Sequence, residues 1–280
     1  MSDPLVSTAW LAERLGSPDV QVVDASWHMP AEARSGRAEF EAAHIPGAVF
    51  FGIDDIADKS TDLPHMLPSP DAFAEAAGAL GLRRDADIVV YDSHGIFSAP
   101  RVWWTLKVMD FPTVHVLDGG FKAWRAEGRP VESGAAAPQP AAVEAAFRPG
   151  LVRNLDDVRR LVAGRAGQIV DARPGGRFRG EVSEPRAGLR AGHMPGALSL
   201  PFGELLNPDG TMKSAHEIHA AFQAAGVNLF RPIVTTCGSG VSASLLALAL
   251  ARLGREDAAV YDGSWTEWGG RADTPVVTGA

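Results

Sequence analysis

Short runs of β-branched and apolar residues alternate with longer stretches of helical period along the whole chain. Residues 20–25 (VQVVDA), 88–91 (IVVY), 114–117 (VHVL) and 233–236 (IVTT) read as strands, because such side chains suit a covered, pleated surface. Residues 7–16 carry an amphipathic helical period, with Ser7 or Thr8 as N-cap and Gly16 as stop. Residues 71–81, 99–109 and 121–127 read as further helices. The first is capped by Ser69 or Asp71, and the second tolerates Pro100 in its first turn. Residues 37–43 predict a helical turn leading into the tight turn His44-Ile-Pro-Gly-Ala48. Residues 49–53 are apolar and extended, and residues 54–70 are irregular and polar. Residues 241–253 are Ala- and Leu-rich on nearly every face, which predicts a helix largely buried against a sheet, with Gly254 as its stop.

The second half of this pattern repeats the first. Val22-Val-Asp-Ala25 returns as Ile169-Val-Asp-Ala172, and His44-Ile-Pro-Gly-Ala48 as His193-Met-Pro-Gly-Ala197. Ile88-Val-Val-Tyr-Asp92 matches Ile233-Val-Thr-Thr-Cys237, and Asp118-Gly-Gly-Phe-Lys-Ala-Trp124 matches Asp262-Gly-Ser-Trp-Thr-Glu-Trp268. Four matches in the same order indicate an internal duplication. Strands alternating with helices in each half predict an α/β fold class: two units, each a mainly parallel sheet flanked by helices. Residues 132–150 are rich in Ala, Pro and Gly without period, so the chain divides into a first domain (1–133), a linker (134–150) and a second domain (151–280).

Composition narrows the function. The 280 residues suffice for two full cores, and 46% hydrophobic with 21% charged residues is ordinary for a globular protein. A formal charge of −8 gives no footprint for nucleic acid or an anionic membrane. The apolar runs are too short to span a bilayer, and the N-terminus reads as a helix rather than a signal sequence. A cytoplasmic protein is the expectation. The single cysteine excludes an intramolecular disulfide and a Cys-rich zinc site, and it leaves no second thiol to reset the first.

That cysteine, Cys237, sits between the end of a predicted strand and the start of the buried helix. Gly238 and Gly240 let the backbone curl, so that successive N–H groups form an anion nest at a helix N-terminus. Both features favour the thiolate, the reactive form of a cysteine. A buried inert thiol is the competing reading, but such a thiol does not need two flanking glycines and a helix start. The first repeat carries Asp92 at the matching position, and a carboxylate cannot replace a thiolate as a sulfur nucleophile. One repeat is therefore expected to be active. The other would support it and lend side chains to a cleft between domains.

These motifs together resemble the tandem-domain rhodanese-like sulfurtransferases over essentially the whole chain. The resemblance rests on the H-I-P-G-A and H-M-P-G-A turns, the V-W-W of residues 102–104, the L-D-G-G of residues 117–120, and C-G-S-G-V-S from Cys237. The loop is similar to that of the 3-mercaptopyruvate-using branch. Thiosulfate-using members place Arg and Lys directly after the cysteine, whereas Gly238 and Ser239 are neutral. Mercaptopyruvate carries its charge on a carboxylate away from the sulfur. The resemblance accordingly implies that Arg177 and Arg186 bind the substrate's carboxylate and keto oxygen, which the planar guanidinium suits. Exposed pairing with Glu181 and Glu184 is the plainer alternative for this basic stretch, and Arg179 is assigned a salt-bridging or structural role. The family further implies a relay of Ser239, His65 and Asp54 beside the thiol. The loop residues Gly238, Gly240, Val241 and Ser242 would receive the substrate. His44 and His193, present in both repeats, are expected to be structural, and the tryptophans to pack in the cores.

The implied reaction forms a persulfide on Cys237 from a small-molecule sulfur donor. Cyanide, a small thiol or thioredoxin then removes the outer sulfur. No metal or organic cofactor is implied. A thiosulfate:cyanide sulfurtransferase and a silent binding or regulatory module remain as alternatives. A cysteine phosphatase is disfavoured, because Ala243 stands where such enzymes need an arginine.

Overall fold

The computed structural model describes residues 3–164 and 167–279. They fall into two units that do not follow a single cut in the chain. The first holds the residues up to Asp58, Leu67–Arg148 and Leu206–Met212; the second holds Lys59–Met66, Pro149–Leu205 and the residues from Lys213 onward.

In the first unit the order is β1 (Leu5–Val6), α1 (Thr8–Arg14), β2 (Val20–Asp24), α2 (Gly36–Ala42), β3 (Val49–Phe50), α3 (Pro70–Ala79), β4 (Asp87–Tyr91), α4 (Ala99–Val108), β5 (Val114–Leu117) and α5 (Gly120–Ala126). The second unit runs β6 (Val152–Arg153), α6 (Leu155–Gly164), β7 (Gln168–Asp171), α7 (Gly175–Phe178), β8 (Leu198–Ser199), α8 (Ala215–Ala224), β9 (Ile233–Thr236), α9 (Val241–Arg252), β10 (Ala259–Tyr261) and α10 (Ser264–Gly270). Each unit has a five-stranded sheet, ordered β1-β5-β4-β2-β3 and β6-β10-β9-β7-β8. All pairs are parallel. The same order in both sheets is the duplication expressed as topology. Among the described residues, no helix is long and apolar enough to cross a membrane.

Local chemistry sets the element ends. Ser7 Oγ accepts from the Trp10 N–H and Ser69 Oγ from the Ala72 N–H, capping α1 and α3. The expected extended run 49–53 pairs only over β3, because the chain turns at Gly52, whose carbonyl accepts from Asp55 and Ile56. The Pro-rich stretch does not hang free. It lies on the first unit as far as Arg148, with the Ala141 N–H donating to Gly78 O and the Arg148 N–H to Val108 O. Gly78 is required there, since a Cβ would stand 2.6 Å from Ala141 O.

The duplication extends into the cores. Trp124, Trp265 and Trp268 are fully buried; the Trp124 indole donates to Pro130 O and that of Trp268 to Pro275 O. His44 stacks on Phe40 with ring centroids 3.9 Å apart, and His193 stacks on Phe178 at 3.7 Å. Each histidine sets Nδ1 against the carbonyl of the residue it stacks on, which is the structural role their symmetry suggests.

Candidate active site

The buried strand β9 delivers Cys237 to the C-terminal edge of the second sheet, where the thiol residue is 2% exposed. Gly240, with φ of +82°, turns the loop into α9. The start of α10 holds the loop from the other side. Trp265 N–H donates to Cys237 O at 2.9 Å, and both the N–H and the hydroxyl of Thr266 donate to Gly238 O. Ser264 Oγ accepts from the Cys237 N–H at 3.3 Å and donates to Tyr261 O at 2.8 Å. It does so from a left-handed backbone, φ of +50°, where the first repeat has Gly120 at +54°. Peptide units are planar and trans, so fixing the carbonyls of Cys237 and Gly238 towards α10 turns the N–H groups of Gly238 and Ser239 the opposite way. The loop thus presents donors on the face away from α10.

The first repeat shows what such a loop does. The Asp92 carboxylate accepts N–H groups from His94, Gly95, Phe97, Ser98 and Ala99, at 2.8–3.1 Å. Phe121 N–H donates to Asp92 O at 2.9 Å, as Trp265 does to Cys237 O. This repeat fills its own anion nest with a side chain. Beside it lies a cavity of about 540 Å³ lined in part by Asp24 and Ser93. Burial pushes the Asp24 carboxyl up to about 6, from an ordinary 3.8. Between those values the folded chain holds a proton that the unfolded chain lacks. Asp24 therefore favours the folded state at low pH, and that contribution, about 3 kcal/mol, is lost as pH rises through 6. Relative to wild type, Asp24→Asn is expected to gain stability in urea between pH 4 and pH 7; parallel pH profiles would contradict the assignment.

Two guanidinium groups hang over the active loop. A Cβ at Gly238 would lie 3.3 Å from Arg177 and 3.8 Å from Arg186. Arg177 donates from Nε to both oxygens of Glu184, at 3.2 and 3.1 Å, and pairs with it again through Nη2. Glu184 is buried and also accepts from Arg173 at 2.7 Å. Arg173 in turn chelates Asp171, donates to Gly192 O and stacks on Trp265 at 4.2 Å. Burial acts against the Arg173 charge, but Asp171 and Glu184 outweigh it and hold its pKa above the ordinary value. Arg179 with Glu181 is an exposed pair, while Glu184 anchors a buried chain that positions Arg177.

His65 belongs to the second unit despite its place in the first half of the sequence. It is 5% exposed, and its Nδ1 lies 2.9 Å from Ser239 Oγ. Its φ of +64° is strained for a non-glycine residue, a cost borne where a side chain must be held in place. Val241 and Ser242 open α9 directly after the loop. Asp54 belongs to the first unit, where its carboxylate accepts from the Trp27 indole at 2.8 Å. The second unit therefore gathers Cys237, Gly238, Ser239, Gly240, His65, Arg177 and Arg186. The sequence reading missed Asp171, Arg173 and Ser264. The usable signal was an asymmetry between repeats: Arg173 follows the shared Asp-Ala where the first repeat has Ser26, and Ser264 replaces Gly120.

Comparison with known proteins agrees with this architecture. The rhodanese-like domain model matches residues 7–127 and 154–271. Human 3-mercaptopyruvate sulfurtransferase is 43% identical over 96% of this chain and 92% of its own. Bovine thiosulfate sulfurtransferase is 44% identical over the same shares of the two chains. The crystal structure of SseA from Escherichia coli, a 3-mercaptopyruvate sulfotransferase, superposes with a TM-score of 0.86 at 41% identity, covering 94% of this chain and 99% of that one. Relatives named for the two donors are equally similar overall, so identity alone does not choose between them.

Proposed function

The chain belongs to the rhodanese-like family, and from that premise we propose that it takes sulfur from 3-mercaptopyruvate, holds it as a persulfide on Cys237 and passes it to an external acceptor. The observation that carries the choice of donor is the pair of guanidiniums beside a neutral loop: Arg177 and Arg186 lie over Gly238, while Gly238 and Ser239 bring no charge of their own. Thiosulfate, a compact dianion, gains most from cations on the loop itself. Mercaptopyruvate presents a carboxylate and a keto oxygen displaced from its sulfur, which the guanidiniums suit.

The Cys237 thiolate attacks the substrate sulfur. The S–S bond forms as the C–S bond breaks, and its electron pair leaves on carbon as the enolate of pyruvate. The proton of the substrate thiol returns to that carbon, directly or through Ser239 and His65, and pyruvate departs. Loop N–H groups stabilise the anionic persulfide, as an oxyanion hole stabilises oxygen. With one cysteine in the chain, a small thiol, thioredoxin or cyanide must remove the outer sulfur. The cytoplasm, rich in such thiols, is the proposed place of action.

Initial rates with 3-mercaptopyruvate and with thiosulfate, each with cyanide as acceptor, test the reading. A clear preference for mercaptopyruvate supports it; a preference for thiosulfate overturns the donor and leaves the nucleophile. Arg177→Ala and Arg186→Ala should each raise KM for mercaptopyruvate about 10-fold or more, the worth of one charge-assisted hydrogen bond. A fall in kcat at unchanged KM would contradict their role.

A further inference from the structure

The first repeat has no nucleophile, yet its loop is as closely built as the active one. Asp92 fixes that loop through its own carboxylate, and the donor at its apex is the His94 N–H, 2.9 Å away. The loop thereby presents His94 beside His28, from the segment after β2, and Glu32, from the turn Pro30–Glu32. His28 Nδ1 and His94 Nε2 are 2.9 Å apart, and Glu32 Oε2 stands 3.9 Å from the first and 3.8 Å from the second.

We propose that His28, His94 and Glu32 form a binding site for a divalent transition-metal cation, zinc foremost, in the first unit. Tetrahedral zinc, with bonds of about 2.0–2.2 Å, keeps its ligand atoms about 3.3 Å apart. The three separations straddle that value, so half-ångström movements of the side chains admit the ion. Two imidazoles and one carboxylate are a donor set that zinc accepts, and the fourth position stays open to water.

The surroundings support this use. His28 Nε2 lies 3.0 Å from Glu39 Oε2, a carboxylate that accepts a proton carried on Nε2; in that tautomer the Nδ1 lone pair faces the other two donors. A carboxylate behind a histidine is the arrangement that orients metal-bound imidazoles. In the same tautomer the 2.9 Å contact to His94 has His94 Nε2–H donating into that lone pair. On binding, the proton moves to the other nitrogen of His94 and the metal takes its place. Arg34 is the opposing charge. It is committed to Glu39 through contacts of 2.7 and 2.8 Å, with Glu32 3.7 Å away. Two carboxylates against one guanidinium leave the cluster net negative.

The test uses the untagged full-length Cys237→Ser chain, stripped with a chelator, so that no thiol competes. Zinc chloride is added, the protein is desalted and bound metal is counted; Co²⁺ absorption then reports the geometry. The proposal expects one ion per chain and tetrahedral Co²⁺ bands. Glu32→Gln and His94→Asn, both partly exposed, should each weaken zinc binding at least 10-fold with an unchanged urea midpoint, and Glu39→Gln about 10-fold. No stoichiometric ion, equal affinity in Glu32→Gln and His94→Asn, or binding that appears only when Cys237 is restored would each overturn it. None of these outcomes depends on the sulfur donor.

Discussion

Cys237→Ser is expected to lower sulfur transfer from 3-mercaptopyruvate by at least about 10³-fold and to leave the fold intact. Serine is close to isosteric, and the contacts that shape the loop are made by the backbone of residues 237 and 238 with Trp265 and Thr266. Those contacts survive the substitution. The nucleophile does not, because a hydroxyl is not appreciably ionised near neutral pH and cannot carry sulfur as a persulfide. The assay is pyruvate release with cyanide as acceptor, alongside far-UV circular dichroism and the urea midpoint. Retention of more than about a tenth of the rate in a folded variant would remove Cys237 from the reaction.

Arg173→Met is expected to cost about 3–5 kcal/mol in the second unit and to reduce activity as well. The side chains of Asp171, Arg173 and Glu184 are each 1% exposed. Methionine fills much of the volume but leaves two buried carboxylates facing each other without their shared cation. The thermal midpoint of that unit should fall by about 10 °C or more. Adding Asp171→Asn and Glu184→Gln should recover part of the stability, because neutral amides need no counter-charge. It should not restore a low KM, because Arg177 has then lost the carboxylate that aims it over Gly238. Arg173→Met within about 1 kcal/mol of wild type would show that the buried chain does not have the weight assigned to it. Equal recovery of stability and KM in the triple variant would show that Glu184 does not position Arg177.

The sheets were legible because their inner strands are short, covered runs such as Ile88–Tyr91 and Ile233–Thr236, whose composition has few other uses. Three of the four edge strands were not, since Leu5–Val6, Val152–Arg153 and Leu198–Ser199 have two residues each and carry no period. Cys237 stood out through its glycines and the apolar helix behind it. Arg173 and Glu184 did not, because burial of a charge depends on partners brought together by folding: Asp171 is two residues away, but Glu184 and Gly192 O arrive from a loop. His65 could be read only through resemblance. Its backbone strain and its membership of the second unit are properties of the folded chain, whereas a histidine in a Pro-rich segment has no local pattern that marks it. The first repeat was legible as a domain without the nucleophile. That Asp92 turns its carboxylate back into its own loop, and so presents His94, required the hydrogen bonds themselves.

The most direct test of the central claim is the intact mass of the protein after exposure to 3-mercaptopyruvate with no acceptor present. The account predicts a gain of one sulfur atom on the peptide containing Cys237, one pyruvate released for each sulfur bound, and loss of the added mass when cyanide is supplied. Pyruvate release without that gain, or the same gain in Cys237→Ser, would contradict it.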